Sequence, residues 1–375
     1  MEVNQISQIV KPLTGIRVLD ATSNIAGPYG GAILADLGAE VLKLETPDGD
    51  PSRFMAPLDG DRSAYFHIVN RNKKVVTVNL KSDDGKLTFD TLLEESDVFL
   101  TNFLPDRLKS LGISAQDLMR KQPRLIFGNL TSYGSSGDDA KSPGYDATVQ
   151  ARTGIMYITG DPDGQPVRTG VSVLDIGAGM WLAMGILAAI IERDKTGRGT
   201  VVETSLYETG IAWVSYHLSA NQISGKPSVR SGAGHPTFSP YGIFKAADGM
   251  VCIGVGNNEI FSKLCKLINR EDLISDSRYV ENVNRVENHN LLRTEIESAL
   301  STNTATNWAK KLGQNGVPAD MVVPPEALFN DSQQLAVEML LKNPDHESAV
   351  KLIPGLPLKF NGKRPEIYRS APKRN

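Results

Sequence analysis

Up to Thr131 the chain alternates short apolar runs with amphipathic ones, and that rhythm narrows the fold more than any other feature. Gly15–Asp20 (GIRVLD) reads as a strand, closed by the turn-rich Ala21–Gly31 and followed by a helix at Ala32–Leu37 and a strand at Ala39–Glu45 (AEVLKLE). Strand signals recur at Lys74–Leu80, Val98–Thr101 and Leu125–Thr131, with helices at Asp83–Glu94 and Ser114–Lys121. Parallel strands joined through helices require right-handed crossovers. The spacing therefore predicts an α/β fold, a doubly wound parallel sheet of Rossmann-like form. Chemistry in such folds gathers beyond the carboxyl ends of strands, here the loops Ala21–Gly31, Asn102–Arg107 and Thr131–Tyr145.

From about Arg193 the pattern changes. Thr200–Leu206 reads as a strand, Tyr207–Ile223 as one long apolar helix, and Ser224–Pro236 as a Gly/Pro/Ser-rich linker. A smaller α/β segment follows, with a strand pair turning at Asp248-Gly249. The expected organisation is a large domain over 1–224, a small α/β domain over 225–330, and a tail over 331–375 that returns to the large domain.

Composition closes off several function classes. A net charge of −3 leaves no basic excess for nucleic acid or an anionic membrane. The two cysteines, Cys252 and Cys265, read as buried reduced thiols, and the five scattered histidines form no metal-ligand pattern, so no metal is expected. Met1–Gly15 has no apolar core of a leader peptide. The uncharged stretch Ile176–Ile191 is shorter than the ~20 residues of a membrane span. It reads as a buried core helix, and the protein as cytoplasmic.

Four segments carry candidate chemistry. Gly27, Gly30 and Gly31, with Glu45 closing the next strand, suggest a dinucleotide turn, but the spacing is G-x-x-G-G and Pro28 interrupts it. Arg71, Lys73 and Lys74 enter a strand that Lys81 leaves; such a cluster is either a solvated strand end or a set of phosphate contacts. Asp175 stands immediately before the apolar helix. As a cap, it would face free N–H groups and the helix dipole, which favour the ionised form, and a carboxylate so placed can also attack a thioester. Ser231–Phe244, with Gly232, Gly234 and His235, is either an interdomain hinge or a mobile lid. No neighbouring acid orients His235 as a base.

In order along the chain stand PLTGIRVLD, AGP, LADLGAEVLKLE, GD at Gly49-Asp50, NRNKK, NF at Asn102-Phe103, SYG at Ser132–Gly134, PGYD at Pro143–Asp146, RTGVSVLD, KTGRG, HPTFSPYG, GLPLKF and RSAP. Together they resemble the type III CoA-transferases, which include formyl-CoA and carnitine CoA-transferases and have α-methylacyl-CoA racemases as relatives. The resemblance implies that Asp175 is the nucleophile, passing through an acyl-aspartyl anhydride and an aspartyl-CoA thioester. It implies that Tyr133 belongs to the active site, and that Gly232 and Gly234 belong to a lid over it. Lys81, Asn102 and Phe103 would contact coenzyme A, with Arg71, Lys73 and Lys74 near its phosphates. Coenzyme A and acyl-CoA would be substrates rather than tightly bound cofactors, small carboxylic acids the other substrates, and the protein an interlocked homodimer. Two positions depart from the racemases: Tyr145 replaces a catalytic histidine and Asn257 a catalytic glutamate. An α-proton racemase needs a base on each face of its substrate, so transfer of CoA is the expected activity. An acyl-CoA isomerase and a non-catalytic CoA-ester-binding protein are the alternatives.

Overall fold

The computed structural model describes residues 11–374. Of Met1–Gly15, over which no leader is expected, residues 1–10 lie outside them. The chain divides into two compact units. One comprises the chain up to Ile155, Thr169–Ala220 and the tail from Asn330; the other comprises Met156–Arg168 and Asn221–Phe329.

In the first unit, β1 (Arg17–Asp20), β2 (Glu40–Glu45), β3 (Lys74–Thr77), β4 (Val98–Thr101), β5 (Ile126–Thr131) and β6 (Val201–Ser205) form one sheet in the order β3-β2-β1-β4-β5-β6. Every pairing in it is parallel, so the doubly wound expectation holds. The strand order reverses between β1 and β4, which opens a crevice at their carboxyl ends. One face of the sheet is sealed by Leu19, Leu44, Phe99 and Phe127 against Phe89 and Leu93 of the helix Asp83–Glu94. The rings of Phe89, Phe99 and Phe127 meet edge-to-face at 5.5 and 5.6 Å, a favoured aromatic geometry.

Two helices, α1 (Ala26–Asp36) and α2 (Val173–Thr196), pack closely, and α2 also covers β5 and β6. Their approach is set by glycine. A Cβ on Gly30 would stand 2.9 Å from the Gly179 carbonyl oxygen, and one on Gly179 would stand 2.5 Å from the Ala26 carbonyl oxygen. Helix α1 therefore begins earlier than expected, and Gly27, Gly30 and Gly31 lie within it rather than in a phosphate-binding turn. Helix α2 is long and apolar enough to cross a membrane, yet 50% of its apolar stretch is buried in the fold. Leu174, Ala178, Leu182, Ile186 and Ile190, spaced at helical intervals, form its inner face.

The NRNKK segment has a structural task that differs from the expected one. Arg71 is buried and pairs with Asp36 of α1 at 2.6 Å. Lys73, 0% exposed, donates to Asp20 Oδ2 at 2.7 Å, to the Pro28 carbonyl at 2.7 Å and to Asn70 Oδ1 at 3.0 Å. Asn72 holds the C-terminal arm: its Oδ1 accepts from the N–H groups of Tyr368 and Arg369, and its Nδ2 donates to the Glu366 carbonyl. The arm is further fixed by Arg62 and Arg53, which donate to the carbonyls of Ala371 and Pro372.

The second unit is built on an antiparallel sheet of Tyr241–Lys245, Met250–Gly254 and Ala319–Met321, backed by amphipathic helices. Strand alternation turns Val251 and Ile253 inward and Cys252 outward, so only Cys265 of the two thiols is buried. Met156–Arg168 joins this unit because Arg230 donates to the carbonyls of Tyr157, Asp161 and Pro162. The single helix expected over Tyr207–Ile223 is two, Leu206–Trp213 and Ser215–Ser224.

Removing Lys73 takes from the buried Asp20 its ion-pair partner and leaves only Thr22 and the more distant Lys43 to hold the charge, a loss of about 3 kcal/mol. Urea unfolding of Lys73→Ala should show a midpoint lowered accordingly; a midpoint equal to wild type would contradict the structural role.

Candidate active site

The crevice at the carboxyl ends of β1 to β4 holds a cavity of 1050 Å³, lined by Thr22, Ser23, Asp50, Lys81, Phe103 and Arg107 among others. Its walls are braced from below by buried charge. Lys43 pairs with Asp50 at 2.7 Å and donates to the Thr22 carbonyl; Asp50 accepts from the N–H of Asn24. Burial opposes the charge on Asp20, but Lys73 and Lys43 outweigh it and hold its carboxyl below the usual range. Glu45, which sequence pairs with a dinucleotide turn, is instead clamped by Arg53 through two 2.8 Å hydrogen bonds.

The expected coenzyme A contacts separate into two groups. Lys81 and Phe103 line the cavity, and Asn102 fastens its rim: Oδ1 accepts from the Ser23 N–H at 3.0 Å, while Nδ2 donates to the Ser23 carbonyl at 2.9 Å. Arg71 and Lys73 do not line it. Their charged ends are buried against Asp36 and Asp20, so they offer no charge to a phosphate there. Lys74 is exposed at the start of β3 and borders a different cleft, with Arg62 and Arg369. Lys86 and Arg107 also line the main cavity, and neither was singled out by sequence. Arg107 lies in the short helix Pro105–Ser110 that follows β4, rather than in the loop expected there, and its guanidinium stacks 4.0 Å from the Phe103 ring centre. Exposed cations beside an aromatic plate suit a ligand carrying phosphates and a planar heterocycle.

Asp175 sits at the third position of α2, not at its cap. Ser172 takes the cap position without a side-chain hydrogen bond. The N–H groups of Leu174 and Asp175 donate instead to Oδ2 of Asp146, at 2.8 and 3.3 Å. Asp146 begins a further helix, α3 (Asp146–Arg152). Asp175 is half-buried, and no described residue donates a hydrogen bond to its carboxylate. Burial, then the nearby Asp146 charge, push its carboxyl up to about 7. This reverses the expectation of a firmly ionised carboxylate, because the donors that would have lowered it serve Asp146.

Tyr133 stands in the loop after β5, packed on Gly144 and 6.1 Å from the Tyr207 ring. Gly232 and Gly234 belong to the second unit and line a 500 Å³ cavity there with His235, His289 and Arg293. Tyr145 is 71% exposed, and Asn257 caps the helix Asn258–Leu267 by accepting from the Ile260 N–H at 2.9 Å.

The model of CoA-transferase family III matches residues 13–375. The acetyl-CoA:oxalate CoA-transferase of Acetobacter aceti is 36% identical over 94% of this chain and 90% of its own length. The human succinyl-CoA:glutarate CoA-transferase is 34% identical over 94% of this chain and 81% of its own. A CAIB/BAIF family protein from Brucella suis superposes with a TM-score of 0.88 at 30% identity, covering 97% of both chains. The chain belongs to CoA-transferase family III and is a CoA-transferase.

Proposed function

We propose that the protein moves coenzyme A from an acyl-CoA to a small carboxylic acid, with Asp175 as the covalent nucleophile. The observation that carries this is a carboxylate in the first turn of a core helix that no described residue hydrogen-bonds. An unbonded, poorly solvated carboxylate is a strong nucleophile once ionised. Asp175 attacks the donor thioester, the C–S bond breaks, and an acyl-aspartyl anhydride and CoA thiolate result. The thiolate attacks the aspartyl carbon, releasing the donor acid and leaving aspartyl-CoA thioester. The acceptor carboxylate displaces the thiolate to form a second anhydride. Thiolate attack on the acceptor's acyl carbon then yields the new acyl-CoA and restores Asp175.

Lys81, Phe103 and Arg107 hold the nucleotide end of coenzyme A, with Asn102 keeping the rim in place. Relatives named for oxalate and glutarate favour a dicarboxylic acid as acceptor. Tyr133 belongs to the active site, and Gly232 and Gly234 supply a lid that keeps water from the anhydrides; the left-handed backbone of Gly232 (φ +58°) suits a hinge. Exposed Met180, Trp181 and Met184 on α2 and Trp213 beyond it support a homodimer that covers them. The isomerase alternative is disfavoured, since Tyr145 carries no base and Asn257 is occupied as a helix cap. Acyl-CoA is consumed as a substrate, and the cytoplasm is the compartment that fits.

Asp175→Ala should lower transfer by on the order of 10⁴-fold or more; activity near wild type would remove Asp175 from the mechanism. Because the carboxyl must ionise to attack, kcat/KM should fall as pH drops through about 7 and level off above it. The same shift has a stability consequence. A carboxyl raised in the folded state loses stability as pH rises from the unfolded value of 3.8 towards about 7. Asp175→Asn should therefore melt a few degrees higher than wild type at pH 8 and close to it below pH 4, by calorimetry. Lys81→Ala and Arg107→Ala should each raise KM for the acyl-CoA roughly tenfold with less effect on kcat; a fall in kcat alone would contradict a binding role.

A further inference from the structure

Asp146 is 5% exposed and each of its oxygens is committed. Oδ2 receives the two α2 N–H groups already described. Oδ1 accepts from Gln150 Nε2 at 2.5 Å, and Gln150, itself 0% exposed, accepts through Oε1 from the Thr169 N–H at 3.0 Å. One carboxylate thus fixes the start of α2, and through Gln150 it also fixes the strand of chain leading into that start.

A cap could have come from Ser172 without charge, since serine is among the favoured capping residues. Here a carboxylate from another helix takes the donors instead. Resting on the reading of Asp175 as nucleophile, we infer that Asp146 is a positioning residue for the transfer reaction, capping α2 so that the Asp175 oxygens stay unbonded and adding a negative charge beside them. Two effects follow. The local N–H groups no longer quench the nucleophile, and the like charge keeps its carboxylate basic.

Other charged groups on the elements packed against α2 are engaged by partners other than Asp175. On α1, Asp36 is paired with Arg71, and the ring of Tyr29, a neutral phenol, lies against α2 at Gly179; on α3, Arg152 pairs with Asp139. Glu203 of β6 accepts from Ser135, and Glu208 of the helix Leu206–Trp213, where Tyr207 also lies, accepts from Ser205. Asp146 is the charge that bears on Asp175.

The test uses Asp146→Asn in the full chain, because asparagine can still accept from the two N–H groups but carries no charge. The acid limb of its kcat/KM profile should move down by about one pH unit, and its plateau kcat should fall several-fold while KM for the acyl-CoA stays within about twofold. Gln150→Met, which cuts the tether and leaves the charge, should lower kcat without moving the limb. A profile for Asp146→Asn that superimposes on wild type, or a limb that moves in Gln150→Met, overturns the inference. Should Asp146→Asn not fold, an unchanged kcat in Gln150→Met overturns it as well. Loss of activity in Asp175→Ala together with an unshifted Asp146→Asn would sink this inference alone; retained activity in Asp175→Ala would sink the nucleophile itself.

Discussion

A helix offers few free N–H groups at its start, and whichever acceptor takes them decides the character of every acid nearby. In α2 two of those groups go to Asp146, although Asp175 lies closer in sequence. An aspartate bonded by its own helix would be a settled anion and a poor attacking group. An aspartate deprived of those donors, half out of water and beside another carboxylate, is raised to about 7 and ionises with difficulty. The strain of that arrangement is what the proposed covalent chemistry draws on.

The rest of the first unit keeps this helix in place. Strand reversal between β1 and β4 opens the cavity, and close glycine contact between Gly30 and Gly179 lets α1 and α2 share one face of the sheet. Buried polar contacts then hold the segments around the cavity: Lys43, paired with Asp50, holds the Thr22 turn, Lys73, paired with Asp20, ties β3 to β1, and the amide of Asn72 draws in the C-terminal arm. Such pairs add little net stability when compared with apolar packing, but they tolerate little displacement once the charges are buried. They fit a site whose loops must be held rather than merely joined.

Sequence made the sheet legible because strand and helix periods differ, and the boundaries moved by only a few residues. The helix Asp83–Glu94 and strand Val98–Thr101 are where the pattern placed them. What sequence could not supply were partners distant along the chain. Gly27, Gly30 and Gly31 look like a turn until Gly179 is known to press on Gly30, and Thr22 and Asp20 on Gly27 and Gly31. Arg71 and Lys73 look like phosphate ligands until Asp36 and Asp20 are seen beside them. Asp175 looks like a cap until Asp146 arrives from another helix. The excursion of Met156–Arg168 into the second unit left no compositional trace, since Arg230 holds it by donating to backbone carbonyls. Lys86 and Arg107 could have been found by asking which cations fall just beyond the carboxyl ends of β3 and β4.

In the proposed reaction an oxygen of Asp175 is exchanged with substrate acid in each turnover. With an acceptor acid labelled by heavy oxygen in its carboxylate, the bridging oxygen of the second anhydride remains on the aspartate when the acyl group leaves. Mass spectrometry of the peptide containing Asp175 after turnover should show the label in that side chain. Formation of labelled acyl-CoA product with Asp175 left unlabelled would contradict the account.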